Sequence, residues 1–132
     1  FRIFAAAGKA LLYSAHTSDG ELIAQAYVIF YNQEAAYHYG ASTQLGRSEP
    51  GAYLIQWEAI KEAKRRGMTR YNFWGVVEPE QTQHRFYGVS VFKRGFRGHD
   101  IEYLHARDLV LNKAKYLPNY FVETVRKRKR RL

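Results

Sequence analysis

The stretch LIAQAYVIFY, Leu22–Tyr31, predicts the longest strand of the chain, because β-branched and aromatic residues dominate it. Asn32 and Gln33 follow as a hairpin turn into a second strand at residues 35–39. Residues 10–15 form an earlier apolar run, which the turn-forming residues 18–20 separate from the long strand. Three consecutive strands joined by short turns predict an antiparallel meander.

The rest of the chain alternates predicted helices and strands. A helix at residues 52–66 starts after Pro50, places Ile55, Ala59, Ile60 and Ala63 on one face, and stops at Gly67. Further predicted elements are a strand at 69–74, a helix at 81–93, strands at 100–104 and 107–111 joined at 105–106, and a helical region at 112–132 in which Pro118 starts a new helix. This order predicts an α/β (α+β) fold whose mixed, mostly antiparallel sheet is flanked by helices.

Composition limits the possible partners. The chain has 132 residues, which suits one domain, and a net charge of +9, which attracts polyanions. An unbroken basic run from Arg126 to Arg131 supplies six of these charges, and without it the balance is ordinary. The absence of cysteine excludes disulfides and is typical of a cytoplasmic protein. The chain begins at Phe1 rather than at methionine, which indicates a fragment of a longer protein.

The stretch GVSVFKRGFRG, residues 88–98, surrounds Gly95 with the cations Lys93 and Arg94 and the aromatic residues Phe92 and Phe96. Such a grouping suits an anionic ligand, or a negative charge that develops during a reaction. The alternative is a helix end with ordinary cationic capping and a glycine stop.

Two further stretches, YHYGAS at 37–42 and YNFWG at 71–75, follow predicted strands, where binding residues often lie. Simple alternation puts Tyr37 and Tyr39 on one strand face and His38 on the other. His38 is interpreted as an ordinary core or surface histidine rather than a catalytic base. For Trp74 the alternative to a binding role is packing.

Taken together, these three stretches resemble the FemABX family of peptidoglycan aminoacyltransferases over about residues 10–111. The resemblance implies a GNAT-like acyl-CoA N-acyltransferase fold, with residues 1–132 as a single domain that forms the second half of a longer two-GNAT protein. It also implies a tRNA-dependent aminoacyltransferase, which moves an amino acid from aminoacyl-tRNA to the stem peptide of UDP-MurNAc-pentapeptide or lipid II. The implied location is the cytoplasm, and neither a cofactor nor a metal is expected.

The resemblance also implies roles for individual residues. Lys93 would stabilise the tetrahedral intermediate, and Phe92 would help to orient the terminal adenosine of the tRNA. Arg94 and Arg97 would contact phosphates, and the acceptor groove would be lined by Tyr39, Ser42 and Trp74. The family often has an acid where this chain has Asn72, so no general base is assigned.

Two alternatives remain at this level. A GNAT N-acyltransferase that uses acyl-CoA is disfavoured by residues 47–52, because Pro50 has no N–H and Glu49 repels phosphate. The other alternative is a non-catalytic domain that binds nucleic acid or a protein partner. The basic run that starts at Arg126 would serve either a tRNA contact or a peripheral contact with an anionic membrane.

Overall fold

A computed structural model describes residues 1–104 and 106–130, and the chain divides into two compact units, Phe1–Trp74 and Gly75–Leu132. The first unit contains α1 (Arg2–Ala6), β1 (Ala10–His16), β2 (Leu22–Tyr31), β3 (Glu34–Ser42), a 3₁₀ turn (Leu45–Arg47), α2 (Gly51–Arg65) and β4 (Arg70–Asn72). The second unit contains α3 (Tyr87–Arg94) and α4 (Lys113–Arg130). Every strand among the described residues therefore belongs to the first unit.

The sheet has the strand order β1-β2-β3-β4. The first three strands are antiparallel neighbours, whereas β4 pairs in parallel with the start of β3, with Glu34 opposite Arg70. The predicted meander and the mixed, mostly antiparallel sheet are thus confirmed. The strand predicted at 35–39 is longer at both ends, and the strand predicted at 69–74 is shorter.

Helix α2 covers one face of the sheet and forms the core with it. Ile55 packs in one buried cluster with side chains of β1 and β2, and Ala59 and Ala63 pack in a second cluster with Val28 and Phe30. The i, i+4, i+8 spacing of the three α2 residues places them on one helix face, as the sequence predicts. Small alanines let the helix approach the sheet closely.

A polar contact is buried beside this core. The Tyr71 hydroxyl donates a 2.7 Å hydrogen bond to Oε1 of Gln56, which is 1% exposed. Burial raises the pKa of the Tyr71 phenol, so the hydroxyl stays protonated as the donor. The bond joins α2 to the segment around β4, from which the loop to residue 74 continues.

The second predicted helix is shorter than its predicted range of 81–93. Hydrogen bonds of successive turns run through residues 78–87, and α3 begins only at Tyr87. Residues 81–85 carry no large apolar side chain, so a helix there would have nothing to pack against a core. The apolar periodicity starts at Phe86, beside the observed start of the helix.

The two strands predicted at 100–104 and 107–111 are wrong. The described residues of these segments form no strand, and Leu104, Leu109 and Leu111 are strongly exposed. A strand needs a neighbouring ladder, and a β-rich composition does not supply one. The predicted connection at 105–106 lies partly outside the described residues, because His105 is not among them.

The carboxyl-terminal region also differs from its prediction. Pro118 does not start a new helix but lies inside α4, where its ring removes one main-chain hydrogen bond without ending the helix. The predicted basic run lies partly outside the described residues, because they end at residue 130. No helix within the described ranges combines the length and the apolarity that a membrane crossing requires.

Candidate functional site

In the second unit, the carboxyl-terminal half of α3 is bonded to residues 75–77. Ser90 is 1% exposed, and its Oγ donates to the Phe86 carbonyl at 3.0 Å and accepts from the Val77 N–H at 2.9 Å. Because both bonds use main-chain groups, they fix the segment against the helix. Sequence reasoning assigned Ser90 no role, although a serine between two valines of a helix is a signal for such a bond.

Lys93 lies one turn further along α3. Its Nζ donates a 2.6 Å hydrogen bond to the carbonyl oxygen of Gly75. Burial lowers the pKa of the Lys93 ammonium, because partial loss of water disfavours the charged form. An ammonium carries three N–H bonds, and among the described residues only Gly75 accepts one of them. The other two remain for water or a ligand, so α3 holds a partly desolvated cation that suits an anion.

Arg94 is engaged within the same unit. Its Nε and Nη2 donate to Oδ2 of Asp100 at 2.9 and 2.6 Å, and its Nη2 also donates to the Val77 carbonyl at 2.8 Å. These contacts offset much of its charge. The phosphate contact of Arg94 stays a prediction, and a phosphate at this position would compete with the Asp100 carboxylate.

The helix does not end as its glycine suggests. Gly95 has φ −56°, in the right-handed region, and the left-handed position falls two residues later at Arg97, with φ +59°. A left-handed arginine is strained, since its Cβ crowds the backbone. The exposed Arg97 side chain makes no hydrogen bond or ion pair with another described residue. It therefore remains a candidate for the predicted phosphate contact.

Phe92 and Phe96 pack edge to face, with ring centroids 5.5 Å apart and an interplanar angle of 80°. Both rings are half-buried. The structure thus brings together four of the residues that the sequence singled out, namely Phe92, Lys93, Arg94 and Phe96, around the end of α3. Together they form a small surface that combines two cationic side chains with two aromatic rings.

In the first unit, a β-bulge changes which β3 side chains share a face. Tyr39 pairs with Tyr27 and Tyr37 pairs with Val28, so His38 is the extra residue. Tyr37 packs against the core cluster beneath α2, whereas Tyr39 is 69% exposed. The prediction that Tyr37 and Tyr39 share a face is wrong, because a bulge shifts the alternation by one residue.

The bulge places His38 at the centre of an aromatic cluster. Its ring lies 4.3 Å from Tyr39, 5.4 Å from Trp74 and 5.8 Å from Tyr27, between ring centroids. Nδ1 of His38 is buried and has no hydrogen-bond partner in the described part of the chain. The structure therefore joins the predicted residues Tyr39 and Trp74 through a histidine that sequence reasoning had set aside.

Trp74 is held in an unusual conformation. Its φ is +67°, and its N–H donates a 2.7 Å hydrogen bond to Oδ1 of Asn72, whose Nδ2 donates to Oε1 of Glu34 at 3.0 Å. The chain from Glu34 through Asn72 stabilises the left-handed residue and leaves the indole 58% exposed. An aspartate at position 72 could not donate to Glu34, which explains why an amide fits this position.

Ser42 lies at the end of β3, opposite Ala24 and three residues beyond Tyr39. Its side chain is exposed. Its role in the acceptor groove stays a prediction.

The amino end of α2 opens into a cleft of about 540 Å³. Carboxylates line this cleft, namely Asp19, Glu21 and Glu49. Pro50 occupies the capping position, and no side chain in the described part of the chain caps the helix. A site with this charge repels phosphate, although free N–H groups of a helix start attract it.

Comparison with known proteins places these features in a family. The model of the FemAB family matches residues 9–123. The chain is 35% identical over 83 residues to the aminoacyltransferase FemA of Staphylococcus aureus, with 63% of this chain and 20% of that protein covered. The chain spans about a fifth of the length of the curated relatives it matches.

Solved structures confirm the predicted GNAT-like fold. An acetyltransferase of Trypanosoma brucei aligns with a TM-score of 0.61 at 8% identity, over 82% of this chain and 75% of that one. A ribosomal-protein-alanine N-acetyltransferase of Brucella melitensis aligns with a TM-score of 0.58 at 9% identity, over 77% and 72%. The crystal structure of FemX aligns with a TM-score of 0.50 at 28% identity, over 56% of this chain and 18% of FemX.

Proposed function

The chain belongs to the FemAB family, and we propose that it is part of an aminoacyltransferase that builds peptidoglycan precursors. The donor would be an aminoacyl-tRNA, and the acceptor would be the stem peptide of UDP-MurNAc-pentapeptide or lipid II. Similarity to a protein named aminoacyltransferase FemA supports the reaction class. The tRNA donor rests on the resemblance of the motifs and on the net charge of +9.

The proposed reaction forms an amide bond and breaks an ester bond. The stem-peptide amine attacks the ester carbonyl carbon, and a tetrahedral intermediate forms with a negative oxygen. The C–O bond to the tRNA ribose then breaks, and the ribose oxygen leaves with a proton. The amine loses its extra proton to water, since no side chain is assigned as a base. Positioning and charge stabilisation would supply most of the catalysis.

The observation that carries this proposal is the Lys93 ammonium, fixed on Gly75 and partly withdrawn from water. Such a cation stabilises a developing oxyanion more strongly than a solvated one does. Phe92, which packs edge to face with Phe96, would contact the terminal adenosine. Arg97, and Arg94 if it leaves Asp100, would contact phosphates.

In the first unit, Tyr39 and Trp74 would contact the acceptor, with Ser42 further along the same strand. The exposed rings of Tyr39 and Trp74 offer apolar faces on which a sugar or a peptide chain packs. His38 would set the spacing of these two rings rather than take a proton.

The cytoplasmic side of the membrane is the proposed place of action, because both candidate acceptors are precursors made there. The basic run from Arg126 would draw either polyanionic tRNA or the anionic inner leaflet towards the protein. Charge alone does not choose between them.

The experiment is a transfer assay on the longer parent protein. Charged tRNA and acyl-CoA are offered separately with a muramyl-pentapeptide acceptor, and mass spectrometry detects the product. Product from charged tRNA alone supports the proposal. Product from acyl-CoA alone would assign the protein to the N-acyltransferases, against the acidic cleft at the start of α2. Tight binding of tRNA without product from either donor would favour a non-catalytic binding domain.

A further inference from the structure

Helix α4 exposes an apolar stripe. Leu117, Phe121 and Val125 recur at i, i+4 and i+8, so they lie on one helix face. Their exposures are 61%, 69% and 49%, which is high for side chains of this kind. A stripe of large apolar side chains in water indicates a surface that another phase or molecule covers.

The opposite side of α4 is basic. Lys115 and Arg126 lie about 120° or more around the helix axis from Phe121, by the 100° turn per residue, whereas Arg128, seven residues after Phe121, continues the line of the stripe at the end of the helix. Lys127 and Lys129 add charge near the end of the helix, while Glu123 pairs with Arg126 at 2.8 Å. The helix therefore combines an apolar face with excess positive charge, which is the pattern of helices that lie in a membrane interface.

We propose that α4 lies along an anionic lipid surface. Leu117, Phe121 and Val125 would enter the boundary between headgroups and acyl chains, and the lysines and arginines would contact the headgroups. The described helix is not apolar enough to cross a bilayer, so it lies on the surface rather than spanning it. This inference deepens the leaflet contact proposed above for the basic run and rests on it, but its test is separate from aminoacyl transfer, because lipid binding needs neither donor nor acceptor.

A lipid surface explains more of the helix than RNA does. Phosphates of RNA would pair with the cations, but they would leave the apolar stripe in water. Two aromatic rings of α4, those of Tyr116 and Tyr120, already stack on each other with centroids 5.8 Å apart, which leaves fewer ring faces for the base stacking that single-stranded RNA uses. The Tyr116 hydroxyl is further engaged with Asp108 at 2.7 Å.

The test is cosedimentation of the full chain with vesicles. Vesicles of phosphatidylglycerol and phosphatidylcholine are compared with vesicles of phosphatidylcholine alone, and uncharged tRNA binding is measured in parallel by mobility shift. Wild type should bind the anionic vesicles, and salt should weaken the binding. The double variant Leu117→Ser/Phe121→Ser should lose at least about tenfold in partitioning and keep its tRNA affinity. Asn119→Ser, on the polar side, is the matched control.

Other variants make the outcome decisive. Lys127→Gln should weaken vesicle binding by roughly fivefold. Circular dichroism checks that each variant keeps its helix, and Val125→Ser replaces the double variant if that one unfolds. Unchanged vesicle binding after loss of the stripe would overturn the proposal in favour of charge alone. So would wild type that binds tRNA but no vesicles, or that buries the stripe in a dimer seen by sedimentation velocity.

Discussion

The ammonium of Lys93 lies 2.6 Å from the carbonyl oxygen of Gly75, a residue eighteen positions earlier in the chain. This hydrogen bond orients the ammonium group and limits its contact with water. Ser90 fixes the same segment, because its hydroxyl accepts a hydrogen bond from the Val77 N–H. A lysine in this setting is a fixed cation rather than a mobile surface charge. Its position, more than its presence in the sequence, makes it the candidate for oxyanion stabilisation.

Removal of the Lys93 charge should reduce turnover. In the longer parent, Lys93→Met keeps most of the side-chain length and should lower kcat by about 100-fold or more, with little change in the acceptor KM. Lys64→Met, at an exposed lysine of α2, is the control and should keep wild-type rates. Steady-state kinetics with varied acceptor separate the two parameters. Wild-type turnover in Lys93→Met would remove Lys93 from the mechanism.

Trp74 should show the cost of its left-handed backbone. Trp74→Gly and Trp74→Ala both remove the indole, but only glycine adopts φ +67° without strain. We therefore expect the glycine variant to be more stable than the alanine variant by about 1 kcal/mol. Urea unfolding of the two proteins measures the difference. Both variants should raise the acceptor KM to a similar extent, because both lack the indole. Equal stabilities of the two variants would contradict the proposed backbone strain at Trp74.

Asn72 should not tolerate aspartate. Asn72→Asp replaces the donor to Glu34 with a second carboxylate and should destabilise the protein by about 1–2 kcal/mol at neutral pH. Adding Glu34→Gln removes the repulsion and restores a donor, so the double variant should recover much of the loss. Denaturant unfolding of both variants tests this. A double variant no more stable than Asn72→Asp alone would contradict the proposed contact.

Acid should weaken a helix-surface ion cluster. Hydrogen bonds from Arg65 and Arg66 lower the pKa of Glu62 to about 2. Because the folded-state pKa is below the unfolded one, the stabilisation is complete above about pH 4.5 and is lost as the pH falls towards 2. Glu62→Gln should therefore be less stable than wild type by about 0.5–1 kcal/mol at neutral pH, and the gap should close in acid. Thermal unfolding across this pH range measures it. A constant gap would mean that the carboxylate charge plays no part.

The sequence predicted the parts of the fold that depend on local pattern. The β-rich run at residues 22–31 formed β2, and the spacing of Ile55, Ala59 and Ala63 gave the buried face of α2. The grouping of Phe92 with Lys93 also survived, because neighbours on one short helix stay close in space. These features depend only on the side-chain periodicity of strands and helices, which can be read directly from the order of the residues.

Pairing between distant segments was decided by the tertiary structure. The segments 100–104 and 107–111 have a strand-like composition, but their described residues pair with no neighbouring strand and therefore form none. The bulge at His38 arises from the register with β2, and it moved Tyr39 away from the face of Tyr37. The contacts of Lys93 with Gly75 and of Asn72 with Glu34 likewise join residues far apart in sequence. Residue order records local periodicity, whereas register and long-range hydrogen bonds exist only once the chain has folded back on itself.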